Sequence, residues 1–361
     1  MPMIKYIKSP YLLFNKDHSI SNFYTGKRFK FSDSNIRAYS LIKKLPREIS
    51  MHHMQANGID DQFLINNNFI FNNDINPLKL SFIRYASIEI NSHCNSRCKF
   101  CPVLIYPRAS RFMEDKLFRI IAAQLKDLPG LRWVSLNHYN EPLLHPKLSE
   151  RILLLYENGL KVRLFTNGKN LKASFFTKNI TDCIDKLVLN IPSINPASYL
   201  QYTGTRMPNG FKEDITRIIN LEIPVEICIN GNPRRATKEK ELIDQYFKID
   251  EKNHCHSYIN ITNDRSGMIN NNHVIKKSKY TGQLGGCRRF FENISIGVEG
   301  KLFICCQDYF RKYSFKNVIS QSIKNILLSD EYLNAKKKVC GILPADDDFI
   351  CRYCNEVIRC D

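Results

Sequence analysis

The chain has 361 residues, 43% hydrophobic and 24% charged, enough to bury the core of a barrel-sized domain plus one or two small units. Its formal net charge of +18 comes from dispersed Lys and Arg without an arginine-rich block, which fits solubility better than a nucleic-acid partner. No apolar run is long enough to span a bilayer and the N-terminus lacks a signal-peptide core, so a soluble cytoplasmic protein is expected, in which 13 cysteines read as metal ligands.

Residues 1–75 read as a separate small unit. Residues 11–14 form a short apolar strand, 15–18 a turn, 20–24 a second strand, 25–27 a turn around Gly26, and 28–31 a third strand. Ser32 or Asp33 can cap a helix carrying Ile36, Tyr39, Leu41 and Ile42. A second helix follows Pro46, 63–71 is hairpin-like, and 76–84 is a linker. Residues 86–91 then alternate as a strand, and from there strands and helices alternate. Strands are expected at 132–137, 161–165, 186–191, 224–229 and 256–261. Helices are expected at 113–128, 148–156, from Asn195-Pro196, at 211–221 and at 238–247. Six βα-type units imply parallel strands joined by right-handed crossovers.

Directly after the strand at 86–91 stand Cys94, Cys98 and Cys101, spaced C-x3-C-x2-C. Three clustered thiolates can hold three irons of a four-iron cubane and leave the fourth open to a substrate or cofactor. Zinc more often shows two paired C-x2-C arms, and a disulfide framework would be odd in a chain this long without a secretory signal. The spacing, with Phe100 before the third cysteine, resembles the radical S-adenosylmethionine (SAM) enzymes. That resemblance implies a [4Fe–4S] cluster whose open iron chelates SAM, reductive cleavage to a 5′-deoxyadenosyl radical, and a partial (β/α)6 barrel over about 85–270. Reactive groups then gather at the C-terminal ends of the strands.

The same resemblance implies SAM-site residues. Asn137-His138-Tyr139-Asn140-Glu141-Pro142 is similar to the family's Gly-Gly-Glu-Pro segment, with Tyr139-Asn140 replacing the glycines. Thr166-Asn167-Gly168 looks like the family's turn beside SAM, or a plain strand-to-helix turn. Asn190 ends the fourth strand, where relatives place a ribose contact, and Arg265 could pair with the SAM carboxylate or stay solvated. Phe100, Asn140, Glu141, Thr166, Asn167, Asn190 and Arg265 are thus the expected cofactor contacts, with His138 either lining the substrate side or structural.

From residue 287 the pattern changes to Cys287-x12-Gly300-x4-Cys305, then Cys351-x2-Cys354. This resembles the auxiliary-cluster extension of radical SAM enzymes, the SPASM or shorter twitch type, over about 280–361. It implies one further [4Fe–4S] cluster on Cys287, Cys305, Cys351 and Cys354, with a hairpin at 298–303 joining the first two. A zinc ribbon is the alternative. Cys306, Cys340 and Cys360 could replace a ligand or support a second, incomplete cluster, and Cys183, Cys228 and Cys255 are unassigned.

The element order of 1–75 is similar to the winged-helix-like leader-recognition domain that accompanies many peptide-modifying radical SAM enzymes. An edge strand there would pair with an extended leader; a structural cap and a DNA-binding winged helix are the alternatives. The expected function is radical modification of a ribosomally made precursor peptide, with oxidative C–C or thioether crosslinking favoured and electrons from a flavodoxin- or ferredoxin-type donor. Small-molecule dehydrogenation or epimerisation, and a non-catalytic iron–sulfur sensor, are the other readings.

Overall fold

The computed structural model describes residues 4–9, 12–14, 17–22, 27–45, 48–58, 60–72, 83–221, 223–249, 254–276 and 278–360. The expected turn at Gly26 and most of the linker at 76–84 lie outside the described residues.

The N-terminal unit has its own core. Strands β1 (Ile4–Lys8), β5 (Glu48–Ser50) and β6 (Ile70–Asn72) form an antiparallel sheet in the order β5-β1-β6. Strands β2 (Leu12–Phe14), β3 (Ser19–Asn22) and β4 (Lys27–Lys30) form a second antiparallel sheet in sequence order. Helices α1 (Ile36–Lys44), α2 (Met51–Ala56) and α3 (Asp61–Asn66) pack with them around Tyr6, Ile20, Ile42, Ile49, Leu64 and Phe69. The hairpin expected over 63–71 is not formed. Asp60 caps α3 by accepting from the Gln62 and Phe63 amides, and only Ile70–Asn72 is strand. Phe63-Leu64-Ile65 is an apolar run too short for its period to distinguish helix from strand, and the cap decides it.

Six parallel strands follow: β7 (Tyr85–Ile88), β8 (Trp133–Ser135), β9 (Val162–Thr166), β10 (Ile184–Asn190), β11 (Val225–Gly231) and β12 (Cys255–Ile261). They are adjacent in chain order, and α4 (Asp115–Lys126), α5 (Leu148–Glu157), α6 (Lys178–Cys183), α7 (Pro196–Thr203), α8 (Phe211–Ile219) and α9 (Pro233–Phe247) lie in the crossovers. Helices covering one face fix which residues turn outward. Ala86 and Ile88 on β7 are fully buried in the core, whereas Tyr85 and Ser87 are half-buried on the other face. Tyr85 stacks on Trp133 at 4.4 Å, and the Arg163 guanidinium lies 4.5 Å from the Trp133 ring, giving that face an aromatic and charged floor.

The C-terminal part comprises β13 (Gln283–Gly286), α10 (Arg288–Glu292), β14 (Asn293–Ile296), β15 (Lys301–Phe303), β16 (Ser314–Asn317), α11 (Ile323–Leu327), α12 (Asp330–Val339) and β17 (Ile358–Cys360). It does not stand apart from the barrel. β14 pairs parallel with β7, Ile294 opposite Ala86 and Ile296 opposite Ile88, so β14, β15 and β16 extend the barrel sheet to nine strands. One apolar core runs from Ile83 through the barrel to Val357. Gly300 makes the turn between β14 and β15 at φ +83°, where a Cβ would meet Leu117 at 2.8 Å. Among the described residues, no helix is long and apolar enough to cross a membrane.

Candidate metal centres

The loop after β7 carries Cys94, Cys98 and Cys101 and is held from three sides. From below, the Asn91 amide donates to the carbonyls of His93 and Glu141, and the Glu141 amide donates back to His93. From α7, the Arg97 amide donates to Thr203 O at 2.7 Å and the Lys99 amide to Tyr202 O at 3.0 Å. Gly204, at φ +65°, permits that approach: a Cβ there would stand 2.9 Å from the Arg97 carbonyl oxygen. From the β9 turn, Asn167 Nδ2 donates to Asn95 Oδ1 at 2.8 Å and lies 3.8 Å from Cys94 Sγ. Phe100 is buried against Ile269 and Val274 with Cys98 and Cys101 alongside.

Three of the expected SAM contacts turn out to hold this scaffold. The buried Glu141 carboxylate accepts from Thr166 Oγ1 (2.6 Å), the Leu143 amide (3.1 Å) and the Asn167 amide (2.8 Å). It therefore ties the β8 and β9 loops together; burial raises its carboxyl above the usual range, with those donors opposing. Both amide hydrogens of Asn140 are used inside the protein, on Asn91 Oδ1 and Leu136 O. Thr166, buried, also accepts from the Gly168 amide. Side chains so placed set the loop's shape, and Asn167 alone of this group reaches the cysteine loop.

Asn190 belongs to a ladder the sequence reading did not anticipate. Asn230 donates to Asn190 at 3.0 Å and Asn260 to Asn230 at 2.5 Å, so three amides cross the C-terminal ends of β10, β11 and β12. Lys169 was missed as well. It follows Thr166-Asn167-Gly168 directly, and its half-buried ammonium donates to Asn95 O. Position after the turn was the available signal for Lys169; the ladder had none, because it joins residues 40 and 30 apart.

The second cysteine group converges. Cys287, Cys305, Cys351 and Cys354 line one cavity with Phe290, Ile304, Ile350 and Val357 as apolar walls and Arg289, Gln307 and Glu356 as polar members. Cys306 and Cys340 do not line it. Cys306 turns away and accepts from Arg289 Nη1 at 2.8 Å. Nothing is described of the Cys360 side chain. Cys183 donates to Asn179 O and, like Cys228 and Cys255, is buried elsewhere.

Between the two groups lie Tyr139 and Arg265. The Tyr139 hydroxyl donates to the Cys306 carbonyl, its ring packs edge-on to Tyr309 at 4.8 Å, and the Arg265 guanidinium stands 5.9 Å from it. Arg265 has a left-handed backbone (φ +52°), and its Nε has no partner among the described residues. Tyr139, Arg265 and His138 are half-buried. His138 is pushed down to about 4 by burial and bonds Ser87 O at 3.0 Å, so it is neutral near pH 7.

The donor sets fit iron–sulfur clusters. Cys305 and Cys354 each accept a backbone N–H from the residue two positions on, Gln307 and Glu356, at 3.4 Å. The backbone N–H groups of Ser96, Val103 and Phe290 likewise act to lower Cys94, Cys101 and Cys287 against burial. Donors of this kind favour thiolate over thiol, against burial that pushes Cys94 and Cys354 up to about 12. Among the described residues, no three His, Cys, Asp or Glu side chains close around a point that one metal ion could fill. A cubane spreads its thiolates over separate irons and needs no such point.

Residues 287–355 match the SPASM family, an iron-sulfur cluster-binding domain. That match makes the C-terminal cysteine group part of an iron–sulfur cluster-binding domain, and the barrel with its cysteine loop has the fold of the solved structures named next. The chain is similar to the S-adenosyl-L-methionine-dependent 2-deoxy-scyllo-inosamine dehydrogenase of Niallia circulans, at 23% identity over 273 residues, 75% of this chain and 92% of the relative. Its fold resembles BtrN in complex with AdoMet and 2-DOIA (TM-score 0.53, 19% identity, 76% of this chain and 93% of that one). It also resembles Streptococcus suis SuiB bound to precursor peptide SuiA (TM-score 0.55, 15% identity, 91% of this chain and 90% of that one). At these identities the likeness is one of fold.

Proposed function

We propose that this enzyme modifies a ribosomally made precursor peptide by an oxidative crosslink, in the cytoplasm, with electrons from a flavodoxin- or ferredoxin-type donor. The observation that carries the reading is the N-terminal unit with its own core. A match over 91% of the chain, as with SuiB, necessarily takes in part of that unit, whereas the dehydrogenase match spans 75%. In this reading the three proposed domains are 1–75, 85–270 and 280–361.

Cys94, Cys98 and Cys101 would hold the SAM cluster, and Cys287, Cys305, Cys351 and Cys354 the auxiliary one. When bound, the first cluster and SAM supply the radical that takes a hydrogen from the substrate. Asn167 and Lys169 set the rim beside Cys94, and the Asn190 ladder offers amides to a ribose. Arg265, whose Nε has no partner among the described residues, offers a cation to the SAM carboxylate. Four cysteines complete a cubane's ligand set, so the auxiliary site has no open corner for substrate and suits electron transfer. The β4 edge, carrying exposed Arg28 and Lys30, suits strand addition by an acidic leader.

Anaerobic reaction of the reconstituted protein with SAM, dithionite and candidate precursor peptides, read by mass spectrometry, tests this. Loss of two hydrogens from a peptide is the expected result. Release of 5′-deoxyadenosine only with an aminocyclitol or sugar substrate would instead establish small-molecule dehydrogenation, which the similarity to the inosamine dehydrogenase supports.

A further inference from the structure

Gln307 is 1% exposed, and neither its Nε2 nor its Oε1 has a hydrogen-bond partner among the described residues. It lines the cavity formed by Cys287, Cys305, Cys351 and Cys354. A buried primary amide without partners is costly, and folded proteins keep one where something else satisfies it. The other polar members of the cavity are engaged: Arg289 donates to Cys306 Sγ and faces Glu356 at 3.7 Å. The amide is also firmly placed. Its own backbone N–H is donated to Cys305 Sγ, and the next residue, Asp308, accepts from the Lys312 and Tyr313 amides.

We propose that Gln307 is a positioning donor for the auxiliary cluster, giving a side-chain N–H bond to one of its sulfurs. The proposal rests on the reading that the four-cysteine cavity holds that cluster. Each electron added to a cluster raises its negative charge, and an N–H aimed at sulfur stabilises the reduced form more than the oxidised one. Gln307 therefore raises the reduction potential of the auxiliary site and makes it the better electron acceptor. A carboxylate of the same length would lower the potential by repelling the added charge, which accounts for an amide at this position.

The test compares the reconstituted full chain with Gln307→Met, which keeps length and loses the donor, and Gln307→Glu, which adds charge. Iron content and EPR-monitored redox titration are read for both clusters, the SAM cluster being recognised by its spectral response to added SAM. The expected result is a full iron load and a lower auxiliary potential in both variants, lower in Glu than in Met, with the SAM cluster unmoved. An unchanged auxiliary potential at full iron load in both variants overturns the proposal. Loss of the auxiliary cluster from both also overturns it, because Gln307 is then a folding residue. A native chain that takes up only one cluster removes the four-cysteine reading itself, and this proposal with it.

Discussion

Changing Glu89 to Gln is expected to destabilise the protein by about 3–5 kcal/mol, the cost of removing one partner from a buried ion pair. Glu89 follows β7 and has no exposed surface. It accepts from Arg108 Nη1 at 3.1 Å on one side and pairs with Arg311, from the connection between β15 and β16, on the other. Burial alone would raise its carboxyl, but Arg311 and then Arg108 outweigh it and hold the group below the usual carboxylate range. The two guanidiniums are 22% and 14% exposed, so in E89Q both stay charged in a dry setting, with Glu299 left to Arg311 only. At about 2–4 °C per kcal/mol, the midpoint of a calorimetric scan should fall on the order of 6–20 °C. Replacing the whole triad, as Arg108→Met with Glu89→Leu and Arg311→Met, should recover most of the loss, because apolar groups carry no desolvation penalty. An E89Q midpoint within about 2 °C of the native chain would refute the reasoning.

Gly204→Ala forces a Cβ against the Arg97 carbonyl and a left-handed backbone costing about 1–2 kcal/mol. It should cut iron bound at Cys94, Cys98 and Cys101 while sparing the SPASM site; equal iron and an unchanged SAM-responsive EPR signal would count against it. Thr166→Val leaves Glu141 without one of its three donors, a loss of about 1–3 kcal/mol, and should weaken SAM binding in calorimetry more than it shifts the urea midpoint. His138 and His145 are both pushed down to about 4 by burial, so the unfolded chain binds more protons below its own pKa of about 6.5. Their contribution is complete above that pH and is lost as pH falls toward 4, up to roughly 3 kcal/mol each. Glu141, raised by burial, acts in the opposite direction. A urea midpoint that stayed flat from pH 7.5 to 5 would contradict this.

Much of the barrel was readable in advance, because its signals are local. The period of hydrophobic residues marked six parallel strands, and the structure moves their ends by a few residues. Short spacings put Cys94, Cys98 and Cys101 on one loop after β7, and the turn at Gly300 was marked by glycine. Failure came where a cap or a distant partner decided. Asp60 turned 61–66 into helix, and the pairing of β14 with β7 merged the C-terminal part into the barrel sheet. Asn140 and Thr166 sit in the expected segments, and what the sequence did not show is that their side chains bond Asn91, Leu136 and Glu141.

Residue type and close spacing were enough to say that this chain binds iron and sulfur, since thiolate chemistry and three- or four-residue loops are written in consecutive positions. Which of Cys305 and Cys306 turns inward was decided only by folding. So were the placing of the buried Gln307 in the lining of the four-cysteine cavity and the joining of Glu89 to Arg311 222 residues away. Those contacts arise when strands distant in the chain pair and exclude water, and a one-dimensional pattern carries no record of which distant groups will share that dry space.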